Sequence, residues 1–136
     1  MENAKEKTRI NGIRMIPTED EEQIWLFSWA ALNSGKWPEL ELMHHIPNGG
    51  MRSKSEAARF KAMGVKRGVS DIFLPVARGG FHGLYIELKA KDGKVDAAQK
   101  EWIEAVRQQG YCGAVCFGGG LAADLIRKYL KGEIKA

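Results

Sequence analysis

Polar and apolar residues alternate most cleanly between positions 71 and 89. Ile72, Leu74 and Val76 alternate with Asp71, Phe73 and Pro75, and Leu84, Ile86 and Leu88 alternate with Tyr85, Glu87 and Lys89. This is the period of two expected of strands with one apolar face. Arg78-Gly79-Gly80 lies between the runs, so they read as an antiparallel hairpin turning near Gly79. Elsewhere the spacing is helical. Thr18 followed three residues later by Glu21 is a capping-box pattern, and the apolar run Ile24 to Leu32 continues a helix over 18 to 33 until Asn33-Ser34-Gly35 stops it. Leu40 to Ile46 reads as a strand ended by the turn residues Pro47-Asn48-Gly49-Gly50. Ser53 or Ser55 can cap a second helix that Gly64 terminates. Asp96 can cap a third, running to Gln109 with Ala98, Trp102, Ala105 and Val106 as its apolar stripe. Tyr111 to Phe117 is an apolar strand, and 120 to 131 a last helix.

The order α-β-α-β-β-α-β-α predicts an α/β fold: a mixed central sheet flanked by helices on both faces, its hairpin antiparallel and its last strand joined by a crossover helix. Residues 1–17, polar and mixed in charge, read as a flexible N-terminal arm or a short added strand. Residues 18–136 are expected to form a single domain, because 136 residues at 44% apolar composition can bury one core.

Composition narrows the setting. No run approaches the roughly 18 apolar residues of a membrane span, and the charged N-terminus lacks a signal peptide's apolar segment, so a cytoplasmic protein without membrane contact is expected. Cys112 and Cys116 sit four apart in a strand-like run, about 13 Å at strand rise, too far for a disulfide. They read as buried thiols. The net charge is +4, unevenly spread. Six cations, Arg52, Lys54, Arg59, Lys61, Lys66 and Arg67, face one acid, Glu56, between Met51 and Arg67, a local balance of +5. Such a block suits a polyanion backbone; the alternative is a solvated helix face.

Candidate chemistry lies in the hairpin. Turning near Gly79, it sets Asp71 almost opposite Glu87, with Cβ atoms roughly 5 Å apart, and Lys89 follows on the same face. Two converging carboxylates repel unless a cation sits between them, and a divalent metal is the obvious candidate. The other reading is a salt-bridged outer surface. His44 and His45, adjacent in a strand, point to opposite faces, so at most one can serve a site; a structural or DNA-contacting His44 is preferred to a catalytic one. Asn48-Gly49 can bring backbone close to a phosphate or make a simple turn. Gly118-Gly119-Gly120 lacks the Lys-Ser/Thr of a P-loop and reads as a tight strand-to-helix connection.

Several motifs in order then match a known pattern. Ile46-Pro47-Asn48-Gly49-Gly50, Gly64-Val65, Gly68-Val69-Ser70-Asp71, Gly83-Leu84-Tyr85-Ile86-Glu87-Leu88-Lys89 and Gln99 together resemble the VRR-NUC (virus-type replication-repair nuclease) family of the PD-(D/E)xK nuclease superfamily, specifically its compact stand-alone, phage-type members. The resemblance spans about 18 to 131. Ser70 departs from it, standing where the family commonly has proline. The resemblance implies a restriction-endonuclease-like core. It also implies metal ligation by Asp71, Glu87 and the carbonyl of Leu88, with Mg²⁺ or Mn²⁺ as the cofactor and Lys89 as the catalytic lysine. A further acid from the first helix is expected, with Glu22 chosen because it shares a helical face with Leu26 and Trp29, and Glu19, one turn earlier, the alternative. Gln99 resembles the family's glutamine at the start of the next helix, where an amide can orient Lys89 or contact DNA; on its own spacing it is an ordinary helix-surface residue. Asn48, Arg52, Lys54, Lys66 and Arg67 are the expected DNA contacts.

The implied function is a metal-dependent DNA endonuclease that hydrolyses phosphodiesters. By analogy with stand-alone members it is structure-specific, cutting four-way (Holliday) junctions as a homodimer. Alternatives are a less selective nuclease acting on flaps, ends or duplex, and a non-catalytic nucleic-acid-binding module.

Overall fold

The computed structural model describes residues 9–47 and 53–136; Asn48 and Arg52, two of the expected DNA contacts, lie outside the described residues. The N-terminal region contributes a two-stranded hairpin, β1 (Arg9–Ile10) and β2 (Ile13–Arg14). Arg14 ties it to the body through a bidentate pair with Asp92 at 2.7 and 3.0 Å. Helix α1 (Glu19–Asn33) follows, its start fixed by the Thr18–Glu21 capping box, an arrangement worth about 1 kcal/mol.

The expected strand from Leu40 to Ile46 is corrected. A 3₁₀ helix, Pro38–Leu42, takes its first half, and only His44–His45 pairs, as β3. The buried residues are Leu40 and Met43. They are three apart, the repeat of a 3₁₀ turn, and Pro38 at its start suits a first helical turn.

Helix α2 (Lys54–Ala62) is capped by Ser53, whose hydroxyl accepts from the Glu56 N–H at 3.2 Å, and none of its residues is buried. Strands β4 (Ile72–Leu74) and β5 (Leu84–Lys89) form the expected antiparallel hairpin, with Ile72 opposite Ile86. Gly79 and Gly80 make the turn with φ of +61° and +93°, a region open to glycine at little cost. Helix α3 (Ala97–Gln108) has an Asp96–Gln99 capping box. Its buried residue is Ile103, while Ala105, assigned to the apolar stripe from sequence, is exposed. Strand β6 (Cys112–Phe117) lies parallel to β5, and α4 (Gly119–Leu130) closes the chain. Both cysteines are free.

The sheet order β3-β4-β5-β6 mixes antiparallel and parallel pairs. One face presents Ile72, Leu74, Leu84, Ile86 and Leu88 to Leu26 and Ala30 of α1 and to Ala122, Ile126 and Tyr129 of α4. The other carries Phe73 stacked on Tyr85 at 4.2 Å, with Trp102 of α3 edge-on to Tyr85. Helices therefore cover both faces, as the alternation implied. Among the described residues no helix is long and apolar enough to cross a membrane.

Candidate active site

The β4–β5 register continues one step beyond the ladder to bring Asp71 beside the end of β5. Asp71 Oδ2 accepts the Leu88 N–H at 3.0 Å. Its backbone carbonyl accepts the Ile46 N–H at 2.6 Å and faces His45 Nδ1 at 2.8 Å, so the short strand β3 holds the acid's backbone from the other side. Glu87, one position before Leu88, points to the α3 face of the sheet with 0% exposure.

The helix-borne acid beside this pair is Glu19. One carboxylate oxygen each from Glu19, Asp71 and Glu87 lies within 4.8 Å of the others. Glu22, chosen from the sequence, is turned away: its Oε1 accepts the Gly119 N–H at 3.3 Å. Three residues on a helix leave side chains about 60° apart and roughly 4.5 Å apart along the axis, and that offset sets Glu19 at the sheet end and Glu22 at the start of α4. There Glu22 meets the positive end of a helix dipole. Glycine is required at that meeting, because a Cβ on Gly119 would stand 2.9 Å from the Glu22 carbonyl and 2.7 Å from the Trp25 ring. The Gly118-Gly119-Gly120 run is thus the tight connection expected, with a side chain of the same chain at its amides.

Glu87 is held asymmetrically. Gln99 Nε2 donates to its Oε1 at 2.8 Å, and Lys89 Nζ stands 3.6 Å from the same oxygen. The amide's orientation is set by the capping box, since Gln99 Oε1 accepts the Asp96 N–H at 3.0 Å. Glu87 Oε2 is buried without a hydrogen-bond partner among the described residues. Burial, then repulsion and hydrogen bonding from Asp71, push the Glu87 carboxyl up from 4.5 to about 8, against the opposing pull of Lys89. Burial likewise raises Glu19; Lys89 opposes this, while Asp71 and Asp20 add to it.

Clustered carboxylates, one carrying an orphaned buried oxygen, fit a hard divalent cation: they supply the oxygen ligands such ions prefer, and the ion would offset the burial and the repulsion that raise both glutamates. The residues that could hold it are Glu19, Asp71 and Glu87. Glu19 and Asp71 line a cavity of about 530 Å³ together with Gln23, His45, Arg67 and Gln99, and Glu87 is buried behind them. Of the remaining expected residues, Arg67 reaches this cavity, while Lys54 and Lys66 are exposed outside its lining. His45 was not singled out from the sequence; the signal available was its place opposite Ile72, one step from Asp71. His44 turns to the other face, edge-on to Phe73.

The comparisons agree with this geometry. No curated protein matches the chain. The VRR-NUC domain model matches residues 8–119. A solved structure described as a VRR_NUC domain protein superposes with a TM-score of 0.74 at 37% identity, covering 85% of this chain and 90% of that one. With the family's motifs standing at the junction of β4, β5 and α3, the chain belongs to the VRR-NUC family of nucleases.

Proposed function

We propose that the protein is a metal-dependent endonuclease that hydrolyses DNA phosphodiesters at the Glu19, Asp71, Glu87 and Lys89 cluster. The observation that carries the reading is the convergence of three carboxylates within 4.8 Å around the unpartnered Glu87 Oε2. Mg²⁺ or Mn²⁺ would be held by those carboxylates and by the carbonyl of Leu88. That residue's N–H is already donated toward Asp71, and a strand residue's N–H and C=O share one side. When bound, the ion supplies Lewis-acid polarisation of the phosphodiester and a more acidic water.

The chain's own residues do the rest. Gln99 fixes one oxygen of Glu87 and leaves the other without a hydrogen-bond partner. The nearly buried Lys89 ammonium adds positive charge where a phosphoryl group would gather negative charge. Arg67 at the cavity wall and Lys54 and Lys66 nearby in the chain hold the DNA backbone, a role supported by the excess of cations on exposed positions of this segment. Branched DNA, cut as paired nicks by a homodimer, is the substrate we favour within this reading, because two-fold symmetry supplies two sites from one chain.

The test is a cleavage panel of four-way junction, flap and matched duplex with Mg²⁺ or Mn²⁺, together with sedimentation of the free protein and its junction complex. Junction cut faster than its arms by a two-chain complex is expected, with turnover abolished by Asp71→Asn. A monomer cutting all substrates equally would make it a general nuclease, and wild-type turnover in Asp71→Asn would remove the site assignment.

A further inference from the structure

Next to the acidic cavity is a second recess of different character. It has a volume of about 260 Å³ and is lined by Gln23, Ile24, Phe27 and His45. Two of these, Gln23 and His45, also wall the acidic cavity, so the recesses are neighbours that share two lining residues. The second recess is below the roughly 300–1,000 Å³ typical of pockets for drug-sized ligands, so it suits one flat heterocycle better than a whole nucleotide. Its walls match the flat face of such a guest: Ile24, Phe27 and the His45 ring line a recess whose surface is almost wholly apolar. The His45 ring is pinned by Nδ1 to the Asp71 carbonyl at 2.8 Å, which accepts only, so Nδ1 carries the hydrogen. Its ring face and Nε2 remain for a ligand. Ile24 is 68% exposed, an apolar side chain left in water beside the most polar site on the protein.

We propose that this recess is a nucleobase subsite: it takes one base, unstacked from the strand being cut, from the nucleotide next to the phosphodiester held at the carboxylates. The inference rests on the nuclease reading and extends it by naming the substrate class, DNA carrying an unpaired nucleotide at the cleavage point. A base stacked on His45 and against Phe27 gains contacts that any base can make. The cost of unstacking is lowest where the base is already unpaired or stands at a branch point whose stack is interrupted. Preference for branched or flapped DNA over duplex would then arise within a single chain.

The experiment places 2-aminopurine, whose fluorescence rises on unstacking, in turn at the unpaired nucleotide on either side of the scissile phosphate. Asp71→Asn protein is used so that the strand stays intact. Fluorescence should rise at one of the two positions. The rise should disappear in Asp71→Asn/Ile24→Glu and persist in Asp71→Asn/Leu32→Glu, which adds the same charge to the same helix at a residue 86% exposed and outside the recess. With the Asp71 side chain restored, an abasic residue at that position should slow cleavage about tenfold, as expected for loss of one stacked base, and the Ile24→Glu protein should no longer distinguish the two substrates. Equal cleavage of base-containing and abasic strands by an active wild type would overturn the subsite and leave the nuclease reading standing. Wild type that cuts no DNA with either metal would overturn both. A change of oligomeric state on Ile24→Glu, with no change in base dependence, would reassign the recess to a contact between copies and overturn the proposal.

Discussion

Replacing Glu87 by glutamine should make the metal-free protein more stable at neutral pH while removing one of the proposed metal ligands. The wild-type carboxyl has no exposed surface and its value is raised from 4.5 to about 8, by burial first and by Asp71 second. A raised acid means that the folded chain holds this proton more tightly than the unfolded chain. Its contribution is therefore harmless below about pH 4.5, grows increasingly unfavourable as pH rises, and levels off above about pH 8. Roughly 2.5 pH units of that window lie below pH 7, at about 1.4 kcal/mol each, so taking up this proton on folding costs about 3.5 kcal/mol there. The carboxamide in Glu87→Gln has no proton to lose, keeps an acceptor for the Gln99 amide, and offers an N–H toward Asp71 where the wild type has an unpartnered oxygen. In EDTA at pH 7 the variant should melt about 10 °C above wild type for a chain of this size, and the gap should close as pH falls to 5. Saturating Mg²⁺ should close most of the gap, since an ion at a hundredfold excess over its Kd adds about 2.7 kcal/mol to the protein that binds it. Thermal melts from pH 5 to 8, with and without Mg²⁺, decide the matter. A variant melting at or below wild type in EDTA at pH 7 would refute this account of the buried carboxyl.

Glu19→Gln should weaken Mg²⁺ binding by titration calorimetry at little cost in stability. Glu22→Gln should instead leave Mg²⁺ affinity near wild type and lower stability by about 1 kcal/mol in urea melts, as expected for a charge lost from a helix N-terminus. Lys89→Ala should abolish turnover in a single-turnover cleavage assay while Mg²⁺ affinity is retained or improved, since an ammonium repels the ion. Joint removal of charge at Lys54, Lys66 and Arg67 should weaken DNA binding across sequences and flatten its salt dependence in anisotropy titrations, because fewer counterions are released.

The hairpin register was legible because a period of two on both strands fixes which faces pair, and a turn centred near Gly79 sets Ile72 opposite Ile86. The Thr18–Glu21 cap was legible for a similar reason, being a contact between residues three apart. Leu40 to Ile46 misled because a short apolar run carries no period long enough to separate a strand from a 3₁₀ turn. Glu19 and Glu22 could not be told apart locally, since the choice depends on Gly119, almost a hundred residues away in the chain. His45 belongs to the same class: its place at the cavity follows from a hydrogen bond to the Asp71 carbonyl, a partner that exists only once β3 and β4 meet.

The shared amide of Gln99 couples two events that would otherwise be independent. Its oxygen holds the Asp96 N–H and its nitrogen holds Glu87, so fraying of the first turn of α3 and rotation of the Glu87 carboxylate are linked through one rigid plane. Linkage is reciprocal. Whatever steadies Glu87 steadies the helix start by the same free energy, and the hydrogen-exchange rate of the Asp96 amide becomes a remote gauge of what the carboxylate is holding.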